Sequence, residues 1–234
     1  MYTYNTRVSI SYVDRNGNVP LYQIMNLMQD CSTFQSEDLG VVVDYLMSQG
    51  KAWILIAYKI NKIKDLKLGQ EICLGTSPTG FKGLMASRQF FIKDMEGNYL
   101  VKADTIWVMI DLNTRMVTRA SKEEVAIYGT GILFDDVKAK RKLNLSDERE
   151  AMPAFKVLKT YIDNNGHMNN ADYLRAAEEF VPDIGQYSQI SITYNKEALE
   201  GDMVYPFVSR EENGIGICLE NKAGEVNARI LLEK

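Results

Sequence analysis

Short runs dense in β-branched and aromatic residues recur along this chain, whereas a three-to-four-residue apolar period appears in only two places. AWILIAYKI, from residue 52, and QISITYNK, from residue 189, read as strands. KLGQEICLGTS and LEGDMVYPFVS each contain a glycine that opens a strand after a turn. RQFFIKDMEGNYLVKADTIWVMIDL and GICLENKAGEVNARILLEK break into paired strands at Glu96-Gly97 and Ala223-Gly224, which read as hairpin turns. The helical period places Leu21, Ile24, Met25, Leu27 and Met28 on one stripe and Leu174, Ala177, Phe180 and Val181 on another. Each helix follows a strand-like stretch, RVSIS or FKVLKT, and must pack its stripe on something.

The elements come in the same order twice. YVDRNGN at 12–18 and YIDNNGH at 161–167 match at a constant offset, with Tyr, Asp, Asn and Gly in place. Each half therefore predicts strand, helix and a run of antiparallel strands, an α+β arrangement with one long helix against a curved sheet. The halves are expected at 1–135 and 153–234, with a boundary near residue 148. Residues 136–152, rich in both charge signs and followed by Pro153, are expected to form a solvated linker. Two copies in one chain can pack as two identical subunits would about a two-fold axis, leaving one free to lose chemistry that the other keeps.

Composition narrows the function classes. With 46% apolar and 25% charged residues among 234, the chain has the usage of a soluble globular protein. A formal charge of -4 and a pI near 5.2 argue against the broad basic face that nucleic-acid binding requires. Cys31, Cys73 and Cys218 are odd in number and widely separated, and the one histidine cannot complete a zinc set. No metal, no cofactor and no disulfide framework are expected. Neither a leader-like start nor a membrane-length apolar run is visible, so a cytoplasmic protein with no membrane partner is expected.

The candidate chemistry lies in Asp163-Asn164-Asn165-Gly166-His167. Asp163, Asn165 and His167 are spaced i, i+2, i+4, which in extended backbone points all three side chains to one face. Asn169 can cap the following helix, with Asp172 at the capping-box position, and the free N–H groups of a helix start suit the oxyanion of an acyl-transfer reaction. A plain strand-to-helix turn explains the same residues locally. The first copy separates the two readings: it keeps Asp14, Asn16 and Gly17 but has Asn18 in place of His167, so the turn does not require histidine.

YIDNNGHMNNADYL resembles the Asp-x-Asn-x-His-x-Asn-Asn signature of the acyl-acyl-carrier-protein (acyl-ACP) thioesterases of plants and bacteria. GNYLVKADTIWVMIDLNTRMVTR is similar to a first-half strand of that family. The resemblance covers nearly the whole chain. It implies a tandem hot-dog fold, each half an antiparallel sheet wrapped around a long helix, and hydrolysis of fatty acyl-ACP. It assigns catalytic roles to Asp163, Asn165 and His167, and it alone promotes Glu197, which by itself reads as a solvated charge beside Lys196 and Glu200. Where plant members often carry a cysteine directly after that glutamate, this chain has Ala198, so the chemistry falls to carboxylates and imidazole.

The same resemblance implies an acyl carrier protein as partner and an acyl site in the first half, for which Met25, Met28, Trp53 and Trp107 are candidates. An acidic carrier calls for local basic residues, either Lys59, Lys62, Lys64 and Lys67 or Lys138, Lys140, Arg141 and Lys142. A homodimer is a further expectation. An acyl-CoA thioesterase of hot-dog type and a non-catalytic acyl-binding hot-dog protein are the alternatives.

Overall fold

The structure, a computed structural model, describes residues 1–41 and 43–234, without the side chains of 43–45. The first half contributes β1 (Tyr2–Arg7), α1 (Leu21–Asp38), α2 (Val43–Ser48), β2 (Lys51–Lys62), β3 (Glu71–Lys82), β4 (Met85–Asp94), β5 (Tyr99–Asp111), β6 (Val117–Thr118) and α3 (Lys122–Tyr128). The second contributes β7 (Arg149–Ala151), β8 (Phe155–Lys156), α4 (Asn170–Glu178), β9 (Gln189–Tyr194), β10 (Met203–Glu211), β11 (Gly214–Asn221) and β12 (Val226–Glu233). Among the described residues no helix is long and apolar enough to cross a membrane.

The strands form one sheet in the order β1-β3-β4-β5-β2-β9-β12-β11-β10-β7, with β6 beside β5 and β8 beside β10. That order reads the same from both ends once β2 is matched with β9, β3 with β10, β4 with β11 and β5 with β12. The halves join where β2 and β9 run antiparallel, with Tyr58 opposite Ile192 and Ile60 opposite Ile190. Hairpins link β4 to β5 and β11 to β12 at the two expected turns.

α1 lies against β1 and β3 and against α4, and Tyr173 of α4 meets Tyr194 of β9 edge-on, which is the tandem hot-dog arrangement. All five apolar residues named for the α1 stripe are buried, and Leu174, Ala177 and Val181 are buried behind α4. One core runs through both halves, from Ile24, Ile60 and Leu74 to Leu174, Ile192 and Ile230. Each such side chain contributes about 1.5–3 kcal/mol by leaving water.

Three local expectations change. Of the strand-like stretches before the helices, RVSIS keeps only Arg7 in β1 and FKVLKT only Phe155–Lys156 in β8, because 3-10 turns at Ile10–Tyr12 and Lys159–Tyr161 steer the chain into each helix. Phe180 lies beyond the end of α4 and stacks on Phe155. The segment expected as a solvated linker is strapped to the outer sheet face. Just before it, buried Gln89 holds the backbone of Phe134; within it, Asp104 accepts from the N–H of Ala139 at 2.8 Å, and Arg149–Ala151 adds a strand against β10.

Candidate active site

Asp163 to His167 forms a closed loop and not the extended segment expected. The Asp163 N–H donates to the His167 carbonyl at 2.9 Å, and Gly166 takes a left-handed φ of +80° that lets the chain reverse. One oxygen of Asp163 accepts from the backbone N–H of Asn165 at 2.8 Å and of His167 at 3.3 Å; the other accepts from the Asn165 side chain at 3.3 Å. Reversal of the chain, and not strand alternation, brings these side chains together.

Asn169 caps α4 as expected, accepting from the Ala171 N–H at 2.9 Å. The capping box does not form, because Asp172 turns to Arg175, 3.6 Å away. The helix start is also less open to an anion than anticipated. The N–H groups of Met168, Asn169, Ala171 and Asp172 all have partners, whereas that of Asn170 has none among the described residues.

Glu197 lies on the turn that follows β9. Its Oε2 lies 3.0 Å from Nε2 of His167; the histidine is partly buried and the glutamate exposed. The two loops are also joined through backbone, since the N–H of Met168 donates to the carbonyl of Ala198 at 2.9 Å. Asp163, Asn165, His167 and Glu197 all line one cleft of about 710 Å³, together with Trp53 and Trp107. Met25 and Met28 do not line it. They lie on the buried stripe of α1, and the adjacent face of that helix, with Gln29, Ser32 and Ser36, forms the cleft wall.

The first-half wall is more polar than an acyl site read from methionine and tryptophan would be. Arg88 donates to Gln35 at 2.5 Å and to Thr76 at 3.0 Å, and lies 5.5 Å from the ring centre of Tyr128. Burial pulls its guanidinium down to about 10. Sequence reasoning missed this wall, although Ser32 and Ser36, one helical turn apart beside the apolar stripe, signal a second face. It also missed Tyr173, which lines the cleft. Of the candidate basic residues, Lys59 and Lys62 are engaged with Glu233 and Asp65, while Lys138, Lys140, Arg141 and Lys142 are exposed. Among the described residues no group of three or more His, Cys, Asp and Glu side chains is placed to hold a metal ion.

Residues 1–128 match the family described as the acyl-ACP thioesterase N-terminal domain, and residues 145–232 match its C-terminal domain. The chain is 22% identical over 241 residues to the chloroplastic acyl-(acyl-carrier-protein) hydrolase FATB3 of Cuphea viscosissima, an alignment that covers 88% of this chain and spans 58% of that protein. Its fold is similar to that of an acyl-ACP thioesterase from Bacteroides thetaiotaomicron, with a TM-score of 0.89, 21% identity, and 99% and 96% of the two chains covered. It is also similar to the 12:0-ACP thioesterase of Umbellularia californica, with a TM-score of 0.84, 17% identity, and 99% and 96% covered.

Proposed function

The chain belongs to the acyl-ACP thioesterase family, whose two domains it carries in order, and from that premise we propose that it hydrolyses fatty acyl-ACP to free fatty acid and holo-ACP, ending fatty acid synthesis on the carrier. Its partner is then an acyl carrier protein bearing a phosphopantetheine-linked acyl chain. The observation that carries the reading is the 3.0 Å contact of His167 with Glu197 on the wall of the cleft.

With its Nε2–H directed to Glu197, His167 offers Nδ1 as the base for a water molecule. Water attacks the thioester carbonyl, its proton passes to Nδ1, and Glu197 stabilises the imidazolium. The tetrahedral intermediate expels the pantetheine thiolate, a good leaving group because its thiol has a pKa of about 8.5. The imidazolium then returns the proton to that thiolate. The Asn170 N–H is the backbone donor for the oxyanion. Trp53 and Trp107 flank the acyl chain, and all four polar residues come from one chain, so a homodimer is not needed to complete the site.

Asp163 fits a positioning role better than that of a nucleophile. Both its oxygens are held inside the loop, and attack on a carbonyl would require them to leave those donors.

Thiol release from matched acyl-ACP and acyl-CoA series tests both reaction and carrier. Wild-type protein should release thiol from the ACP thioester with the higher kcat/KM. His167→Ala should lower kcat by a factor of about 100 or more, the usual weight of a general base. An unchanged rate in that variant would sink the proposal.

A further inference from the structure

The internal repeat serves as a control on which features of the Glu197 turn the fold itself requires. In the second half, the N–H groups of Asn195 and Lys196 donate to the Asn227 carbonyl at 2.8 and 3.4 Å. In the first half, those of Ile63 and Lys64 donate to the Leu100 carbonyl at 2.8 and 3.1 Å. The link between turn and loop is duplicated too: Met168 N–H to Ala198 at 2.9 Å corresponds to Val19 N–H to Leu66 at 2.9 Å. By this register Glu197 corresponds to Asp65, Asn227 to Leu100 and, along the helices, Tyr173 to Ile24. The backbone frame is common to both copies.

Two polar side chains are added in the second copy only. Asn227 donates from Nδ2 to the carbonyls of Lys196 at 3.1 Å and Glu197 at 3.4 Å. From the other side, the Tyr173 hydroxyl accepts from the Ala198 N–H at 3.0 Å. Asn227 and Tyr173 are only 2% and 3% exposed, while their counterparts Leu100 and Ile24 are 2% and 0% exposed and purely apolar. Apolar residues therefore serve the fold at both places. The polar choice even has a cost, because Oδ1 of Asn227 is buried with no hydrogen-bond partner among the described residues.

Resting on the reading above, in which Glu197 and His167 act as a pair, we infer that Tyr173 and Asn227 are positioning residues that clamp the Glu197 turn from two sides and hold its carboxylate within reach of His167. Asn227 does not line the cleft, and Tyr173, which does, has its hydroxyl engaged by the Ala198 N–H. They differ in origin, one from the helix that follows the histidine loop and the other from a central strand, so the turn is fixed to both elements that frame the site.

The test substitutes what the other copy uses. Asn227→Leu should leave Tm unchanged or raised and KM within about twofold, while kcat falls by about 10- to 100-fold, the scale of a small misplacement of catalytic groups. Tyr173→Phe, which keeps the ring and removes only the acceptor, should show the same split between kcat and KM per folded enzyme. Rates within twofold of wild type in both variants would overturn the inference, as would a loss that tracks unfolding alone. His167→Ala in the same assay separates the two levels. If it is inactive while the clamp variants turn over normally, the inference fails and the active-site reading stands; if it remains active, the reading itself fails and the inference falls with it.

Discussion

Asp14, Asp94, Asp163 and Asn221 close the same loop at four places in the chain. In each, the side-chain oxygen accepts from the N–H groups two and four residues on, at 2.8 and 3.0 Å, 3.0 and 2.8 Å, 2.8 and 3.3 Å, and 2.9 and 3.0 Å respectively. A glycine follows three residues later each time, with φ of +77°, +91°, +80° and +78°. Asn221 shows that an amide closes the loop as an acid does. Asp163→Asn should therefore keep the fold, with Tm within a few degrees, and lower kcat about tenfold without abolishing turnover. In heavy-oxygen water, a single turnover of the wild type should place the label in the fatty acid and none in the protein. Label on the Asp163 carboxylate would establish covalent attack instead. At this scale the sequence signalled a turn, since Asp-x-x-Gly is local chemistry, but the i, i+2, i+4 spacing favoured extended backbone and hid the closed loop. It did not make Glu197 legible, because its partner is 30 residues away and only the family resemblance joined them. Tyr173 and Asn227 escaped for the same reason: their polar atoms serve backbone groups of another segment.

α1 and α4 begin at corresponding positions, Leu21 and Asn170, but run for 18 and 9 residues. The added half of α1 carries Ser32, Ser36 and Glu37 on the cleft wall, so the longer helix lines the cleft while the shorter one follows the Asp163–His167 loop. Helix starts were legible from periodicity and turn chemistry. Lengths were not, because the stripe near Phe180 and Val181 continues past the end of α4. Glu178, the last residue of α4, occupies the position of Gln29 in α1. Its Oε1 is buried without a hydrogen-bond partner, and burial pushes the carboxyl from its ordinary 4.5 to about 7, with Arg175 opposing and Glu179 and Asp14 adding to the rise. The folded state thus binds this proton more tightly than the unfolded chain does. The group is neutral and costs nothing below about 4.5, and its penalty grows as pH rises and is complete above about 7. Glu178→Gln should raise Tm at pH 8 and make little difference at pH 5, a contrast that thermal melts at the two pH values would measure. An equal effect at both would show that the carboxyl does not titrate in this window.

The near-palindromic sheet implies a second position related to the proposed active site by the pseudo-two-fold axis, and the chain has given that position to structure. Asn18 stands there for His167 and Asp65 for Glu197, yet neither lines the cleft. The Asp65 carboxylate is held by Lys62 at 2.7 Å, and Lys62 also donates to the Gly185 carbonyl at 3.0 Å. Pro20 replaces the Asn169 cap, and Tyr22, at the place of Ala171, lies under the Arg175 guanidinium at 5.3 Å. Ile24 and Leu100 remove the clamp. Restoring catalytic side chains alone should therefore restore no site. In a His167→Ala background, Asn18→His combined with Asp65→Glu should fold normally and release no more thiol than the His167→Ala protein. The four-residue set that further changes Ile24→Tyr and Leu100→Asn should stay equally inactive, because no part of the cleft reaches those residues for an acyl chain to occupy. Recovered turnover in either protein would mean that the asymmetry lies in a few side chains and not in the shape of the molecule. The expected silence would place it in the long half of α1, which opens a cleft on one side of the axis and has no counterpart on the other.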